Sequence, residues 1–451
     1  MDADTSETVR PVGLWETLAA LARARPVLLT IALLSAVFSA QSGLRASLTP
    51  PDLSIHWRED CDIVMLKQGI DETPRLRDTL KWWTGQWIGC NPFWRPLSSY
   101  AFWSMWRVFG WEQHDRFLLV VVVCHLICAV WMFLLVQRVT GRGLVACLAV
   151  VLCNMGLGIG AYDLVDGDGF RNVGAWIYAP DVWLAMCVLP ALWAAWGGRL
   201  WWAVLFAAMA AGFKETGFVV FPLVGALYWW RFRRWHHALG VLVALAALMA
   251  AVRLVFVGPG WILGSNRWML WRMYLVFAGE PLTMLAGRRA PHALIGIALA
   301  VTIVGWRSRW LRYGALPLGV AAAALAAWLA ATNAGLPVPY VVSLCQVLDW
   351  RWIGAGAVGV AAWVVGAYAG MRGPDRVLIV LFVLAYWVLA LPATIAPQTG
   401  IRSLYTAFMM SGAAQALCLW AVALAVVRTG REWLCGPRGE NPGGTPAAPP
   451  S

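Results

Sequence analysis

Long apolar runs dominate this chain, recurring from residue 27 to residue 427 between short segments that carry arginine. A helix rises about 1.5 Å per residue, so about 20 apolar residues cross a bilayer core about 30 Å thick. Charged residues make up 13% of the chain, against about 25% in soluble domains. The pattern excludes a soluble fold and predicts an all-α polytopic membrane protein.

Twelve of these runs predict about 12 transmembrane helices. Two short runs flank Lys214, and the alternative is that they are half-helices. The first run is longer than the apolar core of a signal peptide, so we expect it to be retained as a span. The predicted spans are residues 27–44, 117–137, 144–161, 177–196, 200–213, 216–230, 239–257, 293–306, 313–332, 352–370, 377–396 and 404–427.

Arginines fall on alternate connecting segments, and this alternation predicts the orientation. Short cytoplasmic loops are enriched in Arg and Lys, so both termini are expected in the cytoplasm. We therefore expect a cytoplasmic N-terminus at 1–26, a transmembrane domain at 27–428 and a Pro/Gly-rich, disordered cytoplasmic tail at 429–451. The net charge of +12 is accounted for by topology and contact with membrane lipids, and we expect no nucleic-acid partner.

The opposite, outer side collects most of the 23 acidic residues. Its first loop, residues 45–116, contains two aromatic segments, 80–88 and 98–110, which suit helices lying at the membrane interface. Cys61 and Cys90 share this loop, where an oxidising exterior would allow a disulfide between them. We expect a polar and reactive surface on this side.

Three carboxylates, Glu59, Asp60 and Asp62, stand within four residues of the first outer loop. Neighbouring carboxylates repel one another when ionised, which raises a pKa and improves a base, or they share a metal ion. The alternative interpretation is a solvated acidic turn.

Lys214 and Glu215 interrupt two apolar runs. An unpaired charge near the hydrocarbon costs about 2.5 to 3.5 kcal/mol on insertion scales, so such residues pair or line a wet cavity. The first interpretation is a salt bridge at a turn. The second is that Lys214 faces a phosphate while Glu215 orients it.

The second outer loop carries Asp166 and Asp168 in an Asp-Gly-Asp run. Hard carboxylate oxygens suit a divalent cation. The run lacks the ligand spacing of a calcium-binding loop, so a turn-rich polar loop is the alternative, and no cofactor is assigned with certainty.

Four stretches resemble relatives of the dolichyl-phosphate-mannose protein mannosyltransferases, including those with tetratricopeptide repeats. FWRPLSSYAFWSMWRVFG, residues 93–110, is similar to their aromatic-Arg-Pro-Leu pattern and includes Arg95. His125 matches a histidine of their second span; within the span it is either a packing residue or a proton relay. Lys214 and Glu215 in GFKETGFVVFP resemble their Lys-Glu step, and Arg402 with Tyr405 in IRSLYTAF resembles the start of a late span.

The resemblance implies a membrane-embedded glycosyltransferase of the GT-C superfamily. A polyprenyl-phosphate sugar would be the donor, and a hydroxyl of a protein, lipid or glycan the acceptor, at the outer face. Asp60 or Asp62 would be the catalytic base of an inverting reaction. The departing phosphate would be neutralised by Lys214, Arg402 and Arg95, with supporting roles for Glu59, Glu215, His125 and Tyr405.

The chain departs from that pattern in two respects. Cys61 separates the acidic residues, which leaves the choice of base open, and no repeat domain follows the last predicted span. A ligase or polymerase of lipid-linked polysaccharide, a secondary transporter and a noncatalytic scaffold are the alternatives. Abundant arginine with lysine only at 67, 81 and 214 is typical of a GC-rich bacterial genome, so we expect a bacterial inner membrane.

Overall fold

The regular secondary structure is helical throughout the part of the chain that the computed structural model describes, with no strand in that part. That part comprises residues 26–40, 61–85, 87–88, 94–111, 113, 116–162, 179–255, 374–395 and 405–435. Its helices are α1 (Pro26–Ser39), α2 (Cys61–Asp71), α3 (Lys81–Thr84), α4 (Pro96–Phe109), α5 (Phe117–Thr140), α6 (Gly143–Tyr162), α7 (Ala179–Trp196), α8 (Leu200–Phe213), α9 (Val220–Phe232), α10 (Trp235–Val255), α11 (Pro374–Ile395) and α12 (Tyr405–Cys435). Two 3₁₀ segments, Leu76–Leu80 and Glu215–Val219, complete it.

Helices α1 and α5 to α12 coincide with nine of the predicted spans. Among the described residues, three helical stretches are long and apolar enough to cross a membrane by length and composition: Phe117–Thr140, Ala179–Trp196 and Trp235–Val252. The predicted spans at 293–306, 313–332 and 352–370 lie outside the described residues. The all-α prediction is thus confirmed for the described helices.

Helix α7 occupies the centre of the described bundle. It packs against α5, α8, α9 and α12, and nearly all of its side chains are buried. Apart from Asp181 in its first turn, its sequence is apolar on every side, as expected of a helix surrounded by other helices. Trp193 lies edge to face against Trp131 of α5, with 5.7 Å between the ring centroids.

The chain reverses direction between α8 and α9. Lys214, which ends α8, has an extended backbone at φ −154° and ψ 142°. Gly217 then packs so closely on the last turn of α8 that an added Cβ would overlap the backbone of Ala210 and Ala211. Helix α8 has 14 residues, or about 21 Å, which is shorter than the bilayer core.

An aromatic segment, which comprises the described residues 61–85, 87–88 and 94–111, covers this reversal, and we call it the outer segment after its predicted side. The predicted helix at 98–110 is α4, the predicted helix at 80–88 is the shorter α3, and α2 was not predicted. Trp94 and Trp103 donate their ring N–H groups to the carbonyls of Trp83 and Thr73, over 3.1 and 2.8 Å. These bonds hold the segment together.

Helix α12 extends further than the sequence predicted. The transmembrane domain was expected to end at residue 428, whereas the helix continues to Cys435. The residues from Arg428 to Cys435 include no proline, and Gly436 with Pro437 follows. Proline lacks the N–H that a helix interior requires, so the helix ends before it.

Candidate functional site

The turn after α8 presents two adjacent charges that contact different helices. Lys214 donates a short hydrogen bond to Asp181 in the first turn of α7. Both side chains are almost fully buried, at 6% and 7% exposure. One interpretation of the sequence was that Glu215 orients Lys214. In the structure, the carboxylate that contacts the Lys214 ammonium is that of Asp181.

Glu215 instead contacts Arg95, the residue that precedes α4. The guanidinium donates through Nε and Nη2 to the two carboxylate oxygens, each over 2.6 Å. The same guanidinium lies 5.0 Å from the ring centroid of Trp87. Burial opposes ionisation of Glu215, but the charge and hydrogen bonds of Arg95, helped by the charge of Lys214, outweigh it and hold the pKa of Glu215 below its usual value.

Two further contacts fix the start of α4 on the turn. Ser98 donates to the carbonyl of Phe213 over 2.6 Å, which satisfies one of the carbonyls that a helix end leaves unpaired. Trp94 stacks on Phe218 with 6.4 Å between the ring centroids. These uncharged contacts therefore position the outer segment on the same turn that carries the charges.

The four ionic side chains form two pairs, Arg95 with Glu215 and Lys214 with Asp181, which we call the paired-charge site. A carboxylate and a phosphate are recognised by the same donors, with guanidinium suited to a two-point contact. A phosphate reaching this site could exchange with either carboxylate. The site thus offers one ammonium and one guanidinium beneath an aromatic cover.

A second polar cluster joins α1, α5, α6 and α12. His125 is fully buried; its Nδ1 lies 2.5 Å from the hydroxyl of Tyr405 and its Nε2 lies 2.9 Å from the hydroxyl of Ser39. Asn154 contacts Ser39 and Ser35. The two predicted supporting residues, His125 and Tyr405, thus meet, and both ring nitrogens of the histidine have partners.

Several predicted site residues cannot be placed with these. Asp62 is the second residue of α2, with its side chain outside the described part. In the part of the chain that the structure describes, no three His, Cys, Asp or Glu side chains gather as a metal site. Outside that part lie Glu59, Asp60, Cys90, Asp166, Asp168 and Arg402.

Asp181 is the site residue that sequence analysis missed. Sequence analysis assigned it no role, although it stands inside the predicted span 177–196. An ionisable residue within an apolar run costs free energy unless it is paired. That cost could have identified Asp181 as a residue with a partner. The partner, 33 residues further on, could not be read from local sequence.

Comparison with known proteins identifies no relative of this chain. No protein-family model, curated protein or solved structure matches the chain.

Proposed function

We propose that this protein is a polytopic membrane glycosyltransferase of the GT-C type, which transfers a sugar from a polyprenyl-phosphate donor to a hydroxyl acceptor. The paired-charge site carries the proposal. It brings the guanidinium of Arg95 to the buried turn that carries Lys214, and two cations there would neutralise a phosphate leaving group. The donor is itself a membrane lipid, which accounts for a catalyst built from apolar helices.

The proposed membrane arrangement extends beyond the three helices that are long enough to span. We infer about 12 spans, both termini in the cytoplasm of a bacterial cell and the outer segment at the outer face of the inner membrane. The nine helices that coincide with predicted spans support this arrangement, as does the arginine content of alternate loops.

In the proposed reaction, Asp60 or Asp62 accepts the proton of the acceptor hydroxyl. The acceptor oxygen forms a bond to the anomeric carbon as the bond from that carbon to the phosphate oxygen breaks. Polyprenyl phosphate departs with the electron pair, and Lys214, Arg95 and Arg402 neutralise it. A single displacement inverts the configuration of the anomeric carbon.

Supporting roles follow from the contacts. Asp181 and Glu215 hold the two cations before the donor arrives. His125 and Tyr405 fix α5 to α12, and Glu59 is assigned to the acidic stretch beside the base. Asp166 and Asp168 would bind a divalent cation, if the reaction uses one.

The test is transfer of radiolabelled sugar from a panel of polyprenyl-phosphate sugars to membrane acceptors. The wild-type protein should transfer from one donor class, and the double variant Asp60→Asn, Asp62→Asn should insert normally yet lose transfer. Asp71→Asn is the matched control, because Asp71 ends the same helix, α2, and is exposed. A chelator in a parallel reaction decides whether a cation is needed.

Three outcomes would replace the proposal. Transfer of an entire glycan from a lipid carrier would indicate a polysaccharide ligase or polymerase. Uptake into proteoliposomes without transfer would indicate a transporter. If no donor reacts and the double variant still complements a deletion strain, the acidic stretch is not catalytic.

A further inference from the structure

Three arginines converge at the end of the bundle opposite to the paired-charge site. Arg138 lies in the last turn of α5, Arg199 precedes α8 and Arg231 lies in the last turn of α9. Their guanidinium groups lie over two tryptophan rings of α7. Arg138 and Arg199 lie 4.1 and 5.8 Å from the centroid of Trp193, and Arg231 lies 5.0 Å from that of Trp196.

The arginine cluster has no carboxylate to balance it among the residues that the structure describes. None of the three arginines forms an ion pair there, and Arg199 and Arg231 both repel Arg138. Each ring contact attracts a guanidinium group but supplies no negative charge. Three like charges held together in this way present a site for an anion.

A glycine shapes the cluster. Gly197, in the loop between α7 and α8, lies directly against the guanidinium of Arg138, and an added Cβ would overlap its Nη2 and Cζ atoms. The next residue, Gly198, has φ +78°, which glycine adopts without strain. The loop therefore lets Arg138 reach over Trp193 toward Arg199.

We propose that Arg138, Arg199 and Arg231 bind the phosphate group of an anionic membrane lipid. The cluster lies on the side predicted to face the cytoplasm, and basic pockets between helices on that side suit phosphorylated head groups. Guanidinium groups donate hydrogen bonds in a planar geometry that fits phosphate oxygens. Tryptophan is enriched at the boundary between acyl chains and water. Bound phosphate would remove the repulsion among the three cations.

The inference depends on the proposed membrane placement and not on sugar transfer. The cluster and the paired-charge site lie at opposite ends of α8, which starts after Arg199 and ends at Lys214. Absence of lipid binding by the wild-type protein, together with normal sugar transfer, would therefore contradict only this inference. The converse result would contradict only the catalytic proposal.

The experiment measures the affinity of the purified full chain, in neutral detergent, for short-chain phosphatidylglycerol from its effect on thermal unfolding. Phosphatidylcholine and inorganic phosphate are the two comparison ligands. We expect saturable binding of phosphatidylglycerol at lower concentration than either. Arg138→Gln and Arg199→Gln should each weaken it about fivefold, since one such cation near a membrane contributes about 1 kcal/mol.

Arg234→Gln is the matched control, because it removes an equal charge at the same end from a side chain that is exposed. It should change the affinity less than twofold. Gly197→Ala tests position without changing charge: the added methyl displaces the flexible end of Arg138, so binding should weaken while folding is retained.

Four results would overturn the inference. Equal weakening by Arg234→Gln and Arg199→Gln would mean that a diffuse surface potential attracts the lipid. Equal affinity for inorganic phosphate would assign the cluster to a soluble anion. Equal affinity for phosphatidylcholine, or unchanged affinity in Gly197→Ala and Arg199→Gln, would mean that the arginines only anchor the helix ends.

Discussion

Arg95 donates two hydrogen bonds of 2.6 Å to Glu215, although 120 residues separate them in the chain. The pair joins the outer segment to the turn after α8, and its side chains are only 11% and 17% exposed. Lys67 and Asp71 are also 2.6 Å apart, but both are about half exposed. The two pairs have the same separation between charges and differ in burial, so they allow a direct comparison.

Glu215→Gln should lower the free energy of unfolding by about 3 to 5 kcal/mol, because it removes one member of a mostly buried ion pair. Lys67→Met, the exposed control, should lower it by about 0.3 to 0.5 kcal/mol. Unfolding by SDS titration in mild detergent measures both. Similar small losses in the two variants would mean that water reaches Arg95.

The Arg95–Glu215 pair should also make stability depend on pH. Since the pKa of Glu215 is held below its ordinary value of 4.5, the folded state keeps this carboxylate ionised where the unfolded state begins to bind a proton. The stability difference between wild type and Glu215→Gln should be constant from pH 8 to about pH 5 and shrink as the pH falls through the folded-state pKa. A difference that already fades at pH 6 to 7 would show that burial outweighs Arg95.

Lys214→Ala should raise the KM for the lipid-phosphate donor much more than that for the acceptor. A hydrogen bond from a charged group contributes about 1.5 to 3 kcal/mol, which corresponds to about 10- to 150-fold in donor affinity. Lys81→Ala is the control, because Lys81 is an exposed lysine of the outer segment. Equal changes in the two KM values would remove Lys214 from the phosphate site.

Gly217→Ala should destabilise the protein by about 1 to 3 kcal/mol or more, because the new Cβ would meet backbone atoms of α8 that cannot move aside. Gly240→Ala, within α10, meets nothing within 4 Å. It should be neutral or stabilise by up to about 1 kcal/mol, since alanine favours helix over glycine. Thermal unfolding of the two variants tests whether close approach, and not the loss of glycine itself, matters.

Tyr405→Phe should cost about 1 to 3 kcal/mol, because a ring nitrogen of the buried His125 loses its partner at 2.5 Å. Tyr228→Phe removes a hydroxyl from another largely buried ring and should cost less. Detergent-based unfolding of both variants checks this. A loss in Tyr228→Phe as large as that in Tyr405→Phe would mean that the hydrogen bond to His125 adds little.

Local sequence predicted the helices well. Apolar length is a local property, and the predicted run 200–213 has the same bounds as α8, while α5 begins at the predicted residue, Phe117. Helix α2 was missed because the charged residues Asp62, Lys67 and Asp71 leave Cys61–Asp71 without a long apolar run. The end of α12 was missed because its last turns are polar.

The paired-charge site was predicted only in part. Lys214 and Glu215 were identified by their cost within an apolar region, and Arg95 by a resemblance. The sequence could not say which cation contacts which carboxylate, because those contacts span 33 and 120 residues. Neither could it reveal that His125 meets Tyr405, 280 residues away.

The order of the paired charges along the chain bears on how the protein is made. Arg95 and Asp181 both precede Lys214 and Glu215, so the ribosome completes each counter-ion before the short α8 and its charged turn emerge. At about 5 to 20 residues per second, the 33 residues between Asp181 and Lys214 take about 2 to 7 s to synthesise. The residues that pair with the turn are therefore already synthesised when the turn emerges. Its two charges can be paired at once and do not depend on later segments.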